Sequence, residues 1–263
     1  MVQSPSEKVL LIDAGNSRLK WAVSAGGELL ENGALGYCWE ALPQQLARCW
    51  ASLAEATNRP QRILLANVAG ARLVAAVEQW AAALEDEQAC ELPVHSVMPE
   101  AEAYGVRNAY AEPQRLGVDR WLGLLAARHY IHGAACVVDS GTALTVDILS
   151  AAGQHLGGII VPGITLMKTS LVDNTQAIQA GQHSVSGYLG RDTQSAIHAG
   201  ALAAASGAVN QVVAQARAEL GEPVNAVITG GDAEQLLPLL SDPFRHEPHW
   251  VLKGLAIVAG GDA

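Results

Sequence analysis

A chain of 263 residues is long for one small domain and short for three, which leaves room for one large or two mid-sized globular units. Sixteen Lys and Arg against 26 Asp and Glu leave a formal charge of −10, which repels phosphate backbones and anionic membrane surfaces and disfavours nucleic-acid binding through a basic face. Half of the residues are apolar, only 16% are charged and Phe occurs once, so the chain should fold compactly on Ala, Leu and Val in a mixed α/β class rather than as an aromatic-rich sandwich.

Cys38, Cys49, Cys90 and Cys136 are scattered, with no CxxC pair, and are expected as buried thiols in a reducing cytoplasm. The apolar run closed by Asp13 is too short for the core of a signal peptide, and no stretch approaches a membrane span, so a cytoplasmic protein with no membrane partner is expected. Val9 to Val23 reads as an apolar strand, a tight turn at Ala14-Gly15-Asn16-Ser17 and a second strand, with a further turn at Gly26-Gly27. Trp39 to Asn58 and Ala71 to Glu87 carry helical spacing, while Arg62 to Val68 and Val94 to Met98 read as short strands. Periodicity fails from Glu100 to Leu116, where Pro99 and Pro113 bracket a loop that holds Tyr104 and Tyr110. A junction here would divide the chain into residues 1–116 and 117–263. Val118 to His132 is expected to be helical, and Ala135 to Leu149 is again strand, turn, strand. A turn at Gly153, a strand through Gly157-Gly158 to Val161 and a helix opened by Pro162-Gly163 follow. Asp192 to Leu220 reads as one long Ala-rich helix, capped by Asp192 and stopped at Gly221. Val224 to Thr229 is the last expected strand, ending in Gly230-Gly231-Asp232, and helices finish the chain. Strands alternating with helices imply sheets with helical cover.

The two strand-turn-strand segments superpose without a gap: residues 13 and 139, like 15 and 141, are 126 apart, and Thr142 answers Asn16. The chain therefore looks internally duplicated. An Asp at the end of a buried strand, followed by Gly and a small hydroxyl or amide residue, gathers backbone N–H groups beside a carboxylate. Such a turn can cradle phosphate and hold a metal ion. One copy alone most often merely reverses the chain. Two copies point to Asp13 and Asp139 converging on a nucleotide in a cleft between two lobes. Neither GxxxxGK[ST] nor GxGxxG is present intact, so no P-loop or dinucleotide fold competes for the phosphate role.

Asp119 and Arg120 follow a Gly where a helix should start. An acid there complements the helix dipole whatever its function. Beside a nucleotide it can also accept a substrate hydroxyl proton during phosphoryl transfer, and the adjacent Arg can hold an anionic group. The pairs His129 and His132, and His246 and His249, lack a Cys or acid at ligand spacing and read as solvated or core histidines. Trp21, Trp39, Trp50, Trp80, Trp121 and Trp250 are expected as packing residues.

In order along the chain stand DAGNS at Asp13 to Ser17, GVDR at Gly117 to Arg120, DSGTALTVD at Asp139 to Asp147, GGIIVPG at Gly157 to Gly163, GRDT at Gly190 to Thr193 and TGGDA at Thr229 to Ala233. In these six motifs, spread over nearly its whole length, the chain resembles the type III pantothenate kinases, of the acetate kinase, sugar kinase, Hsp70 and actin superfamily. The resemblance implies two duplicated ribonuclease-H-like lobes with a nucleotide cleft between them, and ATP-dependent phosphorylation of pantothenate at the start of coenzyme A synthesis. It implies ATP contacts by Asp13, Ala14, Gly15, Asn16, Ser17, Arg18, Leu19 and Lys20, with Asp13 near Mg²⁺, and by Thr142. Ser17 stands where the family commonly has Thr, which keeps the hydroxyl. Asp139 would bind the potassium or ammonium ion that the family requires. Tyr110, Gly117, Val118, Asp119 and Arg120 would line the pantothenate site, with Asp119 as proton acceptor, although Tyr104 competes for the tyrosine role. Thr193 would reach the site of a second subunit in a homodimer. Two other functions fit the same fold: a kinase of another small acceptor, against which GVDR argues, and a regulatory accessory protein for transcription, against which the presence of Asp13, Asp119 and Asp139 argues.

Overall fold

The computed structural model describes residues 7–55, 58–88, 91–173 and 189–261. The chain packs as two compact units, one of residues 1–105, 110–126 and 250–263, the other of residues 106–109 and 127–249. The expected junction between residues 116 and 117 falls inside a stretch that packs with the first unit, and the end of the chain returns to that unit as well.

The first unit is built on strand β1 (Lys8–Ala14), whose residues Leu10, Leu11 and Ile12 are wholly buried. A strand apolar on both faces belongs in the middle of a sheet. It pairs antiparallel with β2 (Arg18–Ala25) on one side and parallel with β4 (Arg62–Asn67) on the other. With β3 (Glu28–Gly36) and β5 (Val94–Ser96) at the edges, the order is β3-β2-β1-β4-β5. Helix α1 (Leu42–Cys49) buries Leu42 and Leu46 one turn apart, and α2 (Ala71–Gln88) buries Leu73, Val77, Ala81 and Leu84 in the same cluster. The expected helix through Asn58 stops at Cys49, and a short 3₁₀ turn, Ala51–Ala54, follows. The irregular stretch after Pro99 contains a two-residue hairpin, β6 (Glu102–Ala103) and β7 (Val106–Arg107), closed by Tyr104 and Gly105 at positive φ. Helix α3 (Val118–Tyr130) follows.

The second unit repeats this plan. Strands β8 (Ala134–Ser140), β9 (Ala143–Leu149) and β10 (His155–Pro162) form the antiparallel part, and β11 (Val224–Thr229) and β12 (Phe244–His246) the parallel part. Their order, β10-β9-β8-β11-β12, is that of the first sheet element for element. Val224 to Thr229 is therefore not the last strand. Phe244–His246 is too short to show period-two alternation in the sequence, yet completes the copy as a parallel edge. The hairpins also do not superpose without a gap. Asp13 faces Lys20 across its turn whereas Asp139 faces Thr145, so the second turn closes one residue sooner.

Helix α4 (Ile164–Asp173) and helix α5 (Thr193–Leu220) cover the second sheet. Asp192 caps α5 as expected, accepting from the Ser195 N–H at 2.9 Å while the Ser195 hydroxyl accepts from the Asp192 N–H at 3.2 Å. Gly221, at φ 67, ends it. Ala201, Ala205, Val209, Val213 and Ala216 form its buried stripe. Contrary to expectation, α5 is long and apolar enough to cross a membrane by length and composition, with mean hydropathy 1.2 over 18 residues, because its other side is also Ala- and Gly-rich. One stripe of it is packed in the core of the second unit, and 28% of that window is buried. After α6 (Ala233–Leu236), α7 (Trp250–Gly260) lies on β1 and β2 of the first unit. Of the cysteines, Cys136 is buried, Cys49 half-buried and Cys38 exposed, contrary to expectation, because it follows the edge strand β3; Cys90 lies outside the described residues.

A Cβ on Gly254 of α7 would fall 2.2 Å from the Leu122 carbonyl oxygen of α3, backbone that cannot swing aside. Gly254→Ala should therefore lower stability by about 1–3 kcal/mol despite the better helix propensity of Ala, as read from the denaturant midpoint at unchanged m-value.

Candidate active site

At the end of β1 the first polar residue is Asp13, half-buried between Lys20 on β2 and Ala66 on β4. The Gly15 N–H closes the turn on the Arg18 carbonyl at 3.0 Å, and Asn16, Ser17 and Arg18 stand exposed beyond it while Ala14 and Leu19 anchor its base in the core. The Val68 N–H donates to the Ala14 carbonyl at 3.0 Å, which fixes the neighbouring end of β4 against the turn. Tyr37, which sequence reasoning passed over, donates its hydroxyl to the Gly15 carbonyl at 2.7 Å. No motif in the sequence marks it; in the fold it follows β3 as Gly163 follows β10.

The corresponding turn of the second unit places Asp139 opposite Thr145 on β9 and beside Thr229 on β11, with Thr142 exposed at the tip. Two backbone segments press on it. Gly230, at φ 96, leaves no room for a side chain, since a Cβ would sit 2.5 Å from Asp139 Oδ1 and 2.3 Å from the Ser140 carbonyl oxygen. Gly163 donates its N–H to the Thr142 carbonyl at 3.0 Å. The Asp232 N–H donates to the Ser140 carbonyl at 2.9 Å, and burial pushes the Asp232 carboxyl up, opposed by Lys168 and by the Gln235 amide. The TGGDA segment thus forms the wall beside Asp139.

Both turns offer hard oxygen donors: one carboxylate, hydroxyls and carbonyls. Among the described residues no three of His, Cys, Asp and Glu stand together, and one carboxylate completed by water and phosphate oxygens is how Mg²⁺ is ordinarily held with a nucleotide. The donor sets fit a nucleotide-bound Mg²⁺ at Asp13 and a weakly held monovalent cation at Asp139.

GVDR lies at the start of α3. The Asp119 side chain folds back over Gly117, where a Cβ would fall 2.5 Å from Oδ1, and that oxygen accepts the Arg120 N–H at 2.8 Å. A side chain at 117 would therefore have to displace the carboxylate from this position. Arg120 is only 7% exposed and donates to the Tyr110 hydroxyl at 3.0 Å, with its guanidinium 5.8 Å from the ring centre. The structure therefore brings Tyr110, Gly117, Val118, Asp119 and Arg120 together. Tyr104 sits instead in the tip of the β6–β7 hairpin. Thr193, exposed, is the first residue of α5 and lines a cavity of about 670 Å³ between α4 and α5, with Met167, Leu171, Ala196, Ile197 and Gly200.

A family model described as type III pantothenate kinase matches residues 9–215. The type III pantothenate kinase of Nitrosococcus oceani is 38% identical over 95% of this chain and 93% of its own length, and that of Aromatoleum aromaticum 40% identical over 97% and 99%. Among solved structures, a Campylobacter jejuni protein assigned to the Baf family of transcriptional activators superposes with a TM-score of 0.56 at 21% identity, covering 97% of this chain and all of that one. The ethanolamine utilization protein EutJ of Carboxydothermus hydrogenoformans gives 0.50 at 12% identity, covering 97% and 90%. These two likenesses speak for the fold alone, which is the actin-like ATPase fold with its sheet duplicated. With its motifs in place across both units and relatives matched over nearly their full length, the chain belongs to the type III pantothenate kinase family.

Proposed function

We infer that this chain transfers the γ-phosphoryl group of ATP to the primary hydroxyl of pantothenate, giving 4'-phosphopantothenate for coenzyme A synthesis. The observation that carries this is the family match, which spans both Asp-Gly turns and GVDR. ATP is used with a divalent cation, and Mg²⁺ beside Asp13 offsets phosphate charge. Asp13, Ala14, Gly15, Asn16, Ser17, Arg18, Leu19 and Lys20 form the phosphate turn, whose exposed tip offers the polar and cationic side chains and the N–H groups left over by the strands, and Thr142 adds a hydroxyl from the second turn. Asp139 holds a potassium or ammonium ion. Gly117, Val118, Arg120 and Tyr110 seat pantothenate, the half-buried Arg120–Tyr110 bond giving its polar wall a fixed shape. Asp119 orients the acceptor hydroxyl and takes its proton as the new O–P bond forms and the bond to the bridging oxygen of ADP breaks.

The unit of function in this reading is a homodimer. Supporting it, Thr193, Ala196, Gly200, Ala203, Ala204 and Gly207 are all exposed along one side of α5, a face small enough for close helix approach. Leu166, Leu171 and Leu189 are exposed in the same unit, at 45%, 46% and 74%. An isologous interface would cover the same face on both subunits and give each pantothenate site Thr193 of the partner subunit.

Asp119→Asn, which keeps the size and removes the proton acceptor, should lower kcat by roughly two to four powers of ten with ATP binding little changed. Near wild-type turnover in that variant would remove Asp119 from its role. Enzyme dialysed into sodium or Tris salts should lose activity and recover it with potassium or ammonium, and Asp139→Asn should abolish that response. Mixed dimers of an Asp119→Asn chain and a Thr193→Ala chain should regain one complete site, whereas either parent alone stays impaired. No rescue in verified mixed dimers, or a fully active monomer by sedimentation, would rule the shared site out.

A further inference from the structure

Tyr37 follows directly on the last residue of β3 and reaches back to the first turn of its own unit, where its hydroxyl donates to the Gly15 carbonyl. Burial pushes the Tyr37 hydroxyl above the ordinary phenol range, so it keeps its proton throughout the neutral range. The ring has its own support. Trp39 meets it edge-on, 5.2 Å between centroids at 73°. Arg72 of α2 lies 5.1 Å over Trp39 and donates to the Trp39 carbonyl at 3.1 Å. The position of the hydroxyl is therefore set by β3 and α2 rather than by the turn it touches.

The peptide between Gly15 and Asn16 is planar and trans, so its C=O and N–H point in opposite directions. The Gly15 N–H is already used inside the turn, on Arg18. Holding the Gly15 carbonyl on Tyr37 thus aims the Asn16 N–H the other way, out of a turn whose residues Asn16, Ser17 and Arg18 are exposed. The second unit holds its own turn from the equivalent place. There Gly163, the residue after β10, donates its backbone N–H to the Thr142 carbonyl. One unit uses a side chain and the other the main chain, so what both retain is a turn carbonyl tied down by the residue that follows the third strand.

We propose that Tyr37 is a positioning residue for ATP, which fixes the Gly15 carbonyl and thereby presents the Asn16 N–H to a phosphate oxygen. This role rests on the binding of ATP phosphates by Asp13 to Lys20. The test is Tyr37→Phe in the full chain, which keeps the ring and removes only the donor. Steady-state kinetics should show KM for ATP raised roughly three- to tenfold, the range one ordinary hydrogen bond commands, with KM for pantothenate unchanged. Titration calorimetry with ADP should show the same loss of affinity. A rise in both KM values together, or a lower thermal midpoint with both KM values unchanged, would make Tyr37 a structural contact only and overturn the proposal. Asp13→Asn run in parallel separates the two layers. If it weakens ATP use while Tyr37→Phe does not, the positioning role falls and the phosphate turn stands. If Asp13→Asn leaves ATP use intact, the phosphate assignment falls and the role of Tyr37 with it.

Discussion

Strands β1 and β8 are each flanked on both sides and buried on both faces, so a polar residue is tolerated only where the strand runs out of the sheet. That end is where Asp13 and Asp139 stand. The adjacent strands supply neighbours for them, Ala66 and Asn67 beside the first and Thr229 and Gly230 beside the second, and two residues beyond each Asp, at Gly15 and Gly141, the turn closes. In sheets of this kind ligands gather outside the carboxyl ends of the strands, because that is where unspent N–H groups and polar side chains meet a rigid base. The chemistry assigned to this chain follows from that placement.

Duplication reproduces the base but not the details around it. The second turn is one residue tighter, and it is crowded by Gly163 and Gly230, whose missing side chains let backbone lie directly on Gly141, Thr142 and Asp139. The first turn is longer, more exposed and braced from outside by Tyr37 and Val68. The Ser140 and Thr142 carbonyls beside that one carboxylate accept the Asp232 and Gly163 N–H groups. An open turn carrying Arg18 and Lys20 suits a charged phosphate chain. The two copies thus differ in crowding and exposure on one plan.

The two hairpins, the cap at Asp192 and the stop at Gly221 were legible because each depends on neighbours within a few residues: alternating apolar positions, a turn Gly, a side chain that bonds its own helix end. What sequence hid depends on distant partners. Phe244–His246 is a strand only because β11 offers it an edge. The Arg120–Tyr110 bond joins positions ten apart, with Pro113 between them, through a loop of no regular period. Tyr37 lies in a stretch with no motif, and only in the fold does it match Gly163. The site residues named from sequence fall into coherent local groups in the structure. Their braces were the part left unseen.

The formal charge of −10 counts against a polyanionic ligand only at a distance. Charges in water are screened within roughly 8 Å at physiological salt, so a phosphate feels the few groups that touch it rather than the sum over the chain. At the first turn the charged groups are Arg18 and Lys20, with a single carboxylate, Asp13. Backbone donors carry no net charge and need no buried counter-ion, so even an acidic chain can hold a phosphate group through them.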